Sequence, residues 1–286
     1  MLRHFSGGSR YNDDRPECEK IRSQGPYGFR ICWWRSGLIR ALLIRRIWLW
    51  KNRMLSGLIL LFSFPLFIFV MINLSFRKIL IRSISDIPFD EWVYPGMVFF
   101  VAAFSVFPII YRDFFDLRIH RKVLVNIALS PYSKLTMISS YLCVSTLEAL
   151  VLGITAMAVY AFIIPFPFTM IQLISMVFYL ILFTVILGNI LITLSVTVSS
   201  PTTYIMLAFI IFFLVIFGSG LIIEFGFFPM TFEKVLIWLP LSIPVRALRF
   251  ILVTGMIEWT LTISSIVFCT LWSLCNGMLL REKLRQ

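Results

Sequence analysis

The sequence predicts an all-α polytopic membrane protein with six transmembrane helices and both termini in the cytoplasm. Three observations carry the prediction. Of 286 residues, 59% are hydrophobic and only 14% charged, where a soluble domain carries about 25% charged residues. Ionisable residues are missing from long stretches, as in segments bathed in lipid. Basic residues then gather at alternate ends of those stretches, the pattern from which orientation is read.

The chain opens on a basic tail, residues 1–37, and 12 of the 26 Lys and Arg residues precede Ser56. A formal charge of +12 placed beside apolar spans accounts for cytoplasmic retention and calls for no nucleic-acid partner. The first 30 residues are polar and lack the short apolar core of a cleaved secretory signal, so the tail is expected to remain. Residues 38–286 form the transmembrane domain.

Leu38 to Arg53 precede the first span. Ile39, Leu43, Ile47 and Trp50 share a helical face with Arg46 among them. The segment therefore reads as an interfacial helix, with Trp48 and Trp50 as anchors and Arg45 and Arg46 snorkelling to the polar region; a simple anchor is the plainer alternative. Span one, about 56–75, is uncharged from Gly57 to Ser75, which is long enough for a hydrocarbon core of about 30 Å. Pro65 is expected to kink it. Span two, about 92–111, opens on Tyr94, Pro95 and Gly96 and stops at Arg112 and Asp113.

The loop 112–134 follows. Leu117, Arg121, Leu124 and Ala128 recur at spacings of four, three and four, which predicts a short surface helix ending at Ser130 and Pro131; a solvated loop is the alternative. From Ala149 to Ile223, 75 residues pass without one Asp, Glu, Lys, Arg or His. A single helix of that length would run roughly 112 Å, far beyond one crossing. Pro165 and Pro167, then Ser199, Ser200 and Pro201, divide it into spans three, four and five at about 135–163, 169–198 and 202–223. Span six, about 257–280, ends in Arg281, Glu282, Lys283 and Arg285.

Residues 225–253 are apolar enough to tempt a seventh crossing, yet carry Glu233, Lys234, Pro240, Pro244, Arg246 and Arg249. Charge by side decides between the two. Six spans leave 20 basic residues inside and 6 outside, whereas a seventh would export the basic C terminus. The segment is therefore predicted to be re-entrant or interfacial on the outer side, shielded by the bundle.

Catalytic chemistry has little to stand on. No glycine is followed by lysine, so the phosphate-cradling loop of nucleotide-hydrolysing proteins is absent and no ATP is expected on this chain. His4 and His120 are the only histidines, and no His-Glu-x-x-His or Gly-x-Ser-x-Gly run occurs. Asp86, Asp90 and Glu91 read as a solvated rim rather than paired catalytic acids. The five cysteines have neither zinc-site nor disulfide spacing, so no enzyme, metal or cofactor is expected. Glu148 alone is ionisable well inside a span. A buried carboxylate is costly, so it either marks a substrate path or gate, or bonds a neighbouring helix through Asn189 or Asn276. A proton-coupled carrier needs relays of acids or repeated halves, and neither is evident.

Four runs occur in a set order. They are Arg45, Arg46, Ile47, Trp48, Leu49, Trp50 and Lys51 before span one; Tyr94, Pro95 and Gly96 opening span two; Ala128 to Ser133 before span three; and Leu239 to Ser242 with Ala247, Leu248 and Arg249 before span six. Together, over about residues 38–280, they resemble the ABC type-2 permease family, the membrane subunits of exporters of polysaccharides, lipid-linked saccharides and some drugs. Leu239 stands where that family often has Asn. The resemblance implies a homodimer joined by two cytoplasmic ATPase subunits, which would hold the ATP and Mg²⁺. It implies a coupling helix within 112–134, with Arg118, His120, Arg121, Lys122, Ser130 and Pro131 meeting the ATPase. It further implies that 38–53 acts as a gate or connecting helix, that Phe227, Phe228, Trp238 and Arg246 line an outer gate, and that the protein sits in the cytoplasmic (inner) membrane and exports an amphipathic cargo. The alternative is an ATP-independent carrier or channel using Glu148.

Overall fold

In lipid, every backbone N–H and C=O must be satisfied within the protein, so apolar stretches this long are driven to helix. The computed structural model describes residues 37–77, 88–119, 133–164 and 168–283. Among the described residues there are no strands, and six helices are long and apolar enough to cross a membrane. The chain is a multi-pass helical membrane protein. In chain order the helices are α1 (Gly37–Asn52), α2 (Met54–Leu74), α3 (Phe89–Ile119), α4 (Lys134–Ile163), α5 (Met170–Thr197), α6 (Pro201–Gly218), α7 (Met230–Ile237), α8 (Ser242–Thr254) and α9 (Trp259–Lys283).

Local chemistry sets most of the ends. The Ser133 hydroxyl accepts from the Thr136 amide at 3.1 Å and caps α4. Thr169 and Gln172 form a capping box at the start of α5. Pro201 opens α6, where its missing N–H costs nothing. Gly255, with φ +73°, closes α8 in the left-handed conformation.

Three helices differ from expectation. Beyond Arg112 and Asp113, where span two was expected to stop, α3 continues to Ile119 through a π-helical turn at Tyr111–Asp116. The charges do not end the helix because protein groups meet them there. α6 stops at Gly218 instead of reaching residue 223, and Gly220, with φ +76°, turns the chain. α2 is continuous through Pro65 and carries a π turn beyond it, at Val70–Leu74. A third π turn, Leu214–Gly218, ends α6.

α3 is the central helix. Within its membrane-length window 78% is buried, against 22–44% for the other five. It packs on α4 and α5, α9 covers α4 and α5, and α2 lies along α4. Gly153 and Gly188 permit the close approach: a Cβ on Gly188 would meet the side chains of Leu142, Ile110 and Val106. The Tyr94 hydroxyl donates to the Met157 carbonyl at 2.8 Å and that of Tyr160 to Pro65 at 3.0 Å, tying the start of α3 to α4 and α4 to α2. Phe104, Phe107, Tyr111 and Phe115 of α3 pack their rings against Tyr204 and Phe212 of α6.

Buried polar side chains join α5 to α9. Asn276 Nδ2 donates to Asn189 Oδ1 at 3.0 Å, Asn189 Nδ2 to Ser273 Oγ at 3.1 Å, Thr193 Oγ1 to Asn276 Oδ1 at 2.6 Å and Trp272 Nε1 to Thr193 Oγ1 at 3.0 Å. α7 and α8 meet at 96°, and the Ser242 hydroxyl inside the bend lies 2.7 Å from the Leu239 carbonyl oxygen. Gln172 of α5 reaches the Leu252 carbonyl of α8 at 3.3 Å.

Candidate functional site

α1 carries an arginine on its otherwise apolar packing face, and the bundle supplies the compensation. Arg46 is only 7% exposed. Its guanidinium is ion-paired with Asp113 in the π turn of α3, and its Nε lies 3.4 Å from Glu148 Oε2 on α4. One turn further along α1, Trp50 Nε1 donates to Glu148 Oε1 at 3.3 Å. Asp113 also faces Arg112 at 3.3 Å and Arg45 at 3.9 Å. Two carboxylates from two membrane-length helices thus converge on one arginine of a third helix. Leaving any of the three unpaired in this setting would be costly.

Arg45, Arg46, Trp50, Arg112 and Glu148 of this cluster form one wall of a cleft of about 860 Å³ bounded by α1, α2, α3 and α4. Arginines gather at one end of it, while Phe64, Phe104 and Leu152 make the rest apolar. The π turn places Asp113 toward α1, and single π turns of this kind are frequent at functional sites.

Several residues singled out from sequence meet here. Arg45, Arg46 and Trp50, predicted for the interfacial helix, join Glu148, predicted for a substrate path. Trp48 does not: its side chain is 65% exposed. Neither asparagine suggested as a partner for Glu148 reaches it, because Asn189 and Asn276 bond one another instead. Asp113 and Arg112 were missed as members of the site. Their signal was a charged pair ending an apolar run, but the partner that explains Asp113 is 67 residues away in the chain.

Arg118 extends from the last turn of α3 to donate to the carbonyls of Val196 and Val198. It satisfies acceptors that the end of α5 leaves open. His120, Arg121, Lys122, Ser130 and Pro131 lie outside the described residues.

A second cleft, of about 660 Å³, lies where the start of α3 meets α8 and the start of α9. Arg249 stacks over the Trp92 ring, 3.5 Å from its centroid, and its Nη2 donates to the Leu221 carbonyl at 3.0 Å. Gly96 makes room for that backbone, since a Cβ there would fall 2.0 Å from the Leu221 carbonyl oxygen. Glu91, Glu224 and Glu258 share the lining with Arg246. Arg246 Nη1 lies 3.5 Å from the Ile237 carbonyl. Phe227, Phe228 and Trp238, grouped with Arg246 from sequence, do not line this cleft, and Trp238 is 82% exposed. Trp92 and Arg249 carry the geometry instead; an aromatic residue and a cation on separate segments gave no local signal of stacking. Among the described residues no three His, Cys, Asp or Glu side chains gather in a way that would hold a metal ion.

Compared with protein-family models, with curated proteins and with solved structures, the chain matches none.

Proposed function

We propose that this chain is the permease subunit of an ATP-driven exporter, moving an amphipathic molecule such as a lipid-linked saccharide outward across the cytoplasmic membrane. The observation that carries the reading is the docking of α1 by Arg46 onto both α3 and α4. A helix ahead of the first span, keyed by charge to the second and third, is suited to pass a push at one end of the bundle into its centre. The bent pair α7–α8 before the last span adds support, since a break of that kind suits a re-entrant segment at an exit.

In this reading both termini and α1 lie on the cytoplasmic side, and two copies of the chain enclose the path. Two separate ATPase subunits bind ATP and Mg²⁺ and press on the 112–134 segment, with Arg118, His120, Arg121, Lys122, Ser130 and Pro131 at the contact. The push tilts α2, α3 and α6, each of which carries a π turn in its C-terminal part, and shifts the population toward an open path.

Purification of tagged protein in mild detergent, with mass spectrometry of bound proteins and an ATP hydrolysis assay, tests the proposal. The expected result is a stoichiometric soluble ATPase whose hydrolysis falls when Arg121 and Lys122 are charge-reversed. Absence of such a partner across several mild detergents overturns it. The second reading, an ATP-independent carrier or channel, draws on Glu148 lining the larger cleft. Transport that is abolished and no longer responds to pH in Glu148→Gln favours the carrier; retained ATP-dependent export in that variant removes it.

A further inference from the structure

The larger cleft has a charge imbalance that its own residues leave uncompensated. Arg45, Arg46, Arg53 and Arg112 line it together with Glu148, and Asp113, which is not in the lining, pairs with Arg45, Arg46 and Arg112. Arg46 is used up between the two carboxylates. Arg45 and Arg112 share what remains of Asp113, and their side chains stay 42% and 44% exposed. Arg53, at the break between α1 and α2, is exposed and has no carboxylate partner among the described residues. Three accessible guanidiniums therefore gather at one end of a cleft whose net charge is positive.

The walls change character along the helices. From Arg112 back to Phe104 the α3 axis covers about 12 Å, and from Arg53 to Phe64 the α2 axis covers about 16 Å. Over that distance the lining becomes Leu60, Phe64 and Phe104, with Leu60 65% and Phe104 45% exposed. A soluble anion would satisfy the arginines but leave this apolar wall uncovered. A volume of about 860 Å³ falls within the ~300–1,000 Å³ usual for small-molecule sites.

We infer that the cleft between α1, α2, α3 and α4 is a binding site for a single anionic phospholipid. Its phosphate diester sits among Arg45, Arg53 and Arg112, and an acyl chain lies along Leu60, Phe64 and Phe104. Planar guanidiniums present paired N–H donors that match phosphate oxygens, and basic pockets between transmembrane helices are suited to anionic headgroups. The inference does not depend on what the protein transports. Bound in this way, the lipid bridges α1 to the bundle beside the Arg46 cluster.

Native mass spectrometry of the full chain, titrated with dioleoylphosphatidylglycerol or dioleoylphosphatidylcholine, tests it. The expected result is one retained phosphatidylglycerol, preferred over phosphatidylcholine, with a loss of about fivefold in affinity for each arginine removed by Arg45→Gln or Arg53→Gln. Arg40→Gln makes the same charge change on an exposed position of the same helix outside the cleft, and should leave the preference intact. Phe104→Ala should weaken binding of the phosphatidylglycerol through its chain. Arg53→Gln lies outside the buried ion cluster, so it carries the test even if Arg45→Gln disturbs folding. Equal losses in Arg40→Gln and Arg53→Gln would reduce the effect to general surface charge and overturn the site. Displacement of the lipid by excess glycerol phosphate would also overturn it, in favour of a soluble anion, as would the absence of any lipid preference.

Discussion

The junction of α1 with α3 and α4 and the junction of α5 with α9 both bury polar groups in an apolar bundle, with opposite chemistry. The first uses full charges: Arg46 between Asp113 and Glu148, beside an open cleft. The second uses neutral amides and hydroxyls, in which Asn189, Thr193, Ser273 and Asn276 satisfy one another. Neutral groups matched in this way are tied to one geometry and cost little to bury. Charges are costly to bury and can exchange partners, here with Arg45, Arg112 or a ligand in the cleft. The α5–α9 junction is thus built as a fixed seam and the α1 junction as a latch.

The strongest test of that contrast is Arg46→Leu. It removes the one arginine that Asp113 and Glu148 share and should lower stability by about 3–5 kcal/mol, read as a shift in the unfolding midpoint in detergent. Replacing Asp113 and Glu148 by apolar residues in the same variant should recover most of the loss, since a buried ion cluster is often no more stabilising than well-packed apolar groups. Should the single variant unfold no more easily than wild type, Arg46 is not the keystone of α1 docking.

Gly96→Ala extends the comparison to the second cleft, where closure is steric. The added Cβ meets backbone at 2.0 Å, which cannot yield as a flexible side chain would, and a cost of about 1–3 kcal/mol is expected. A neutral result would mean that the 219–223 turn moves freely against α3.

At the amide seam the expectation is smaller. Asn189→Leu should cost about 1–2 kcal/mol, in the range of interhelical hydrogen bonds in membranes, and Asn276→Leu about the same. Hydrogen exchange in this variant should rise around α9 while the α1 protection pattern stays unchanged. Equal disturbance of both regions would show that seam and latch are one cooperative unit.

Smallest of all is Trp50→Phe, which removes the 3.3 Å bond to Glu148 at a cost of about 0.5–1.5 kcal/mol. Its value lies in the sign of its coupling to Arg46→Leu. A double-mutant cycle should give a clear interaction energy, because both residues address the same carboxylate; strict additivity would separate them.

Much of the architecture was legible before the structure. The uncharged run 149–223 announced several crossings by length, and Pro165, Pro167 and Pro201 marked where to cut it, because a proline's ring and missing N–H disfavour a continuing helix, even though α2 runs through Pro65. The extension of α3 through Arg112 and Asp113 was not legible, since charges end a span only when nothing in the protein meets them. Glu148 was recognisable as a costly group from its own position, whereas its true partners were not. Asparagines on other spans were as reasonable a guess as an arginine ahead of span one. The family resemblance sets Phe227, Phe228 and Trp238 beside Arg246 at an outer gate, yet none of the three lines the cleft that Arg246 lines.

Composition and the spacing of charges are enough to dictate a helical bundle of six membrane-length segments, because lipid imposes its demand on each stretch of chain separately. Which helices touch is a different matter. Arg46 meets Asp113 across 67 residues and Trp50 meets Glu148 across 98, and no local periodicity encodes such a meeting. It is settled by packing, where small residues on α4 and α5 draw α3 inward and bring two carboxylates within reach of a single arginine.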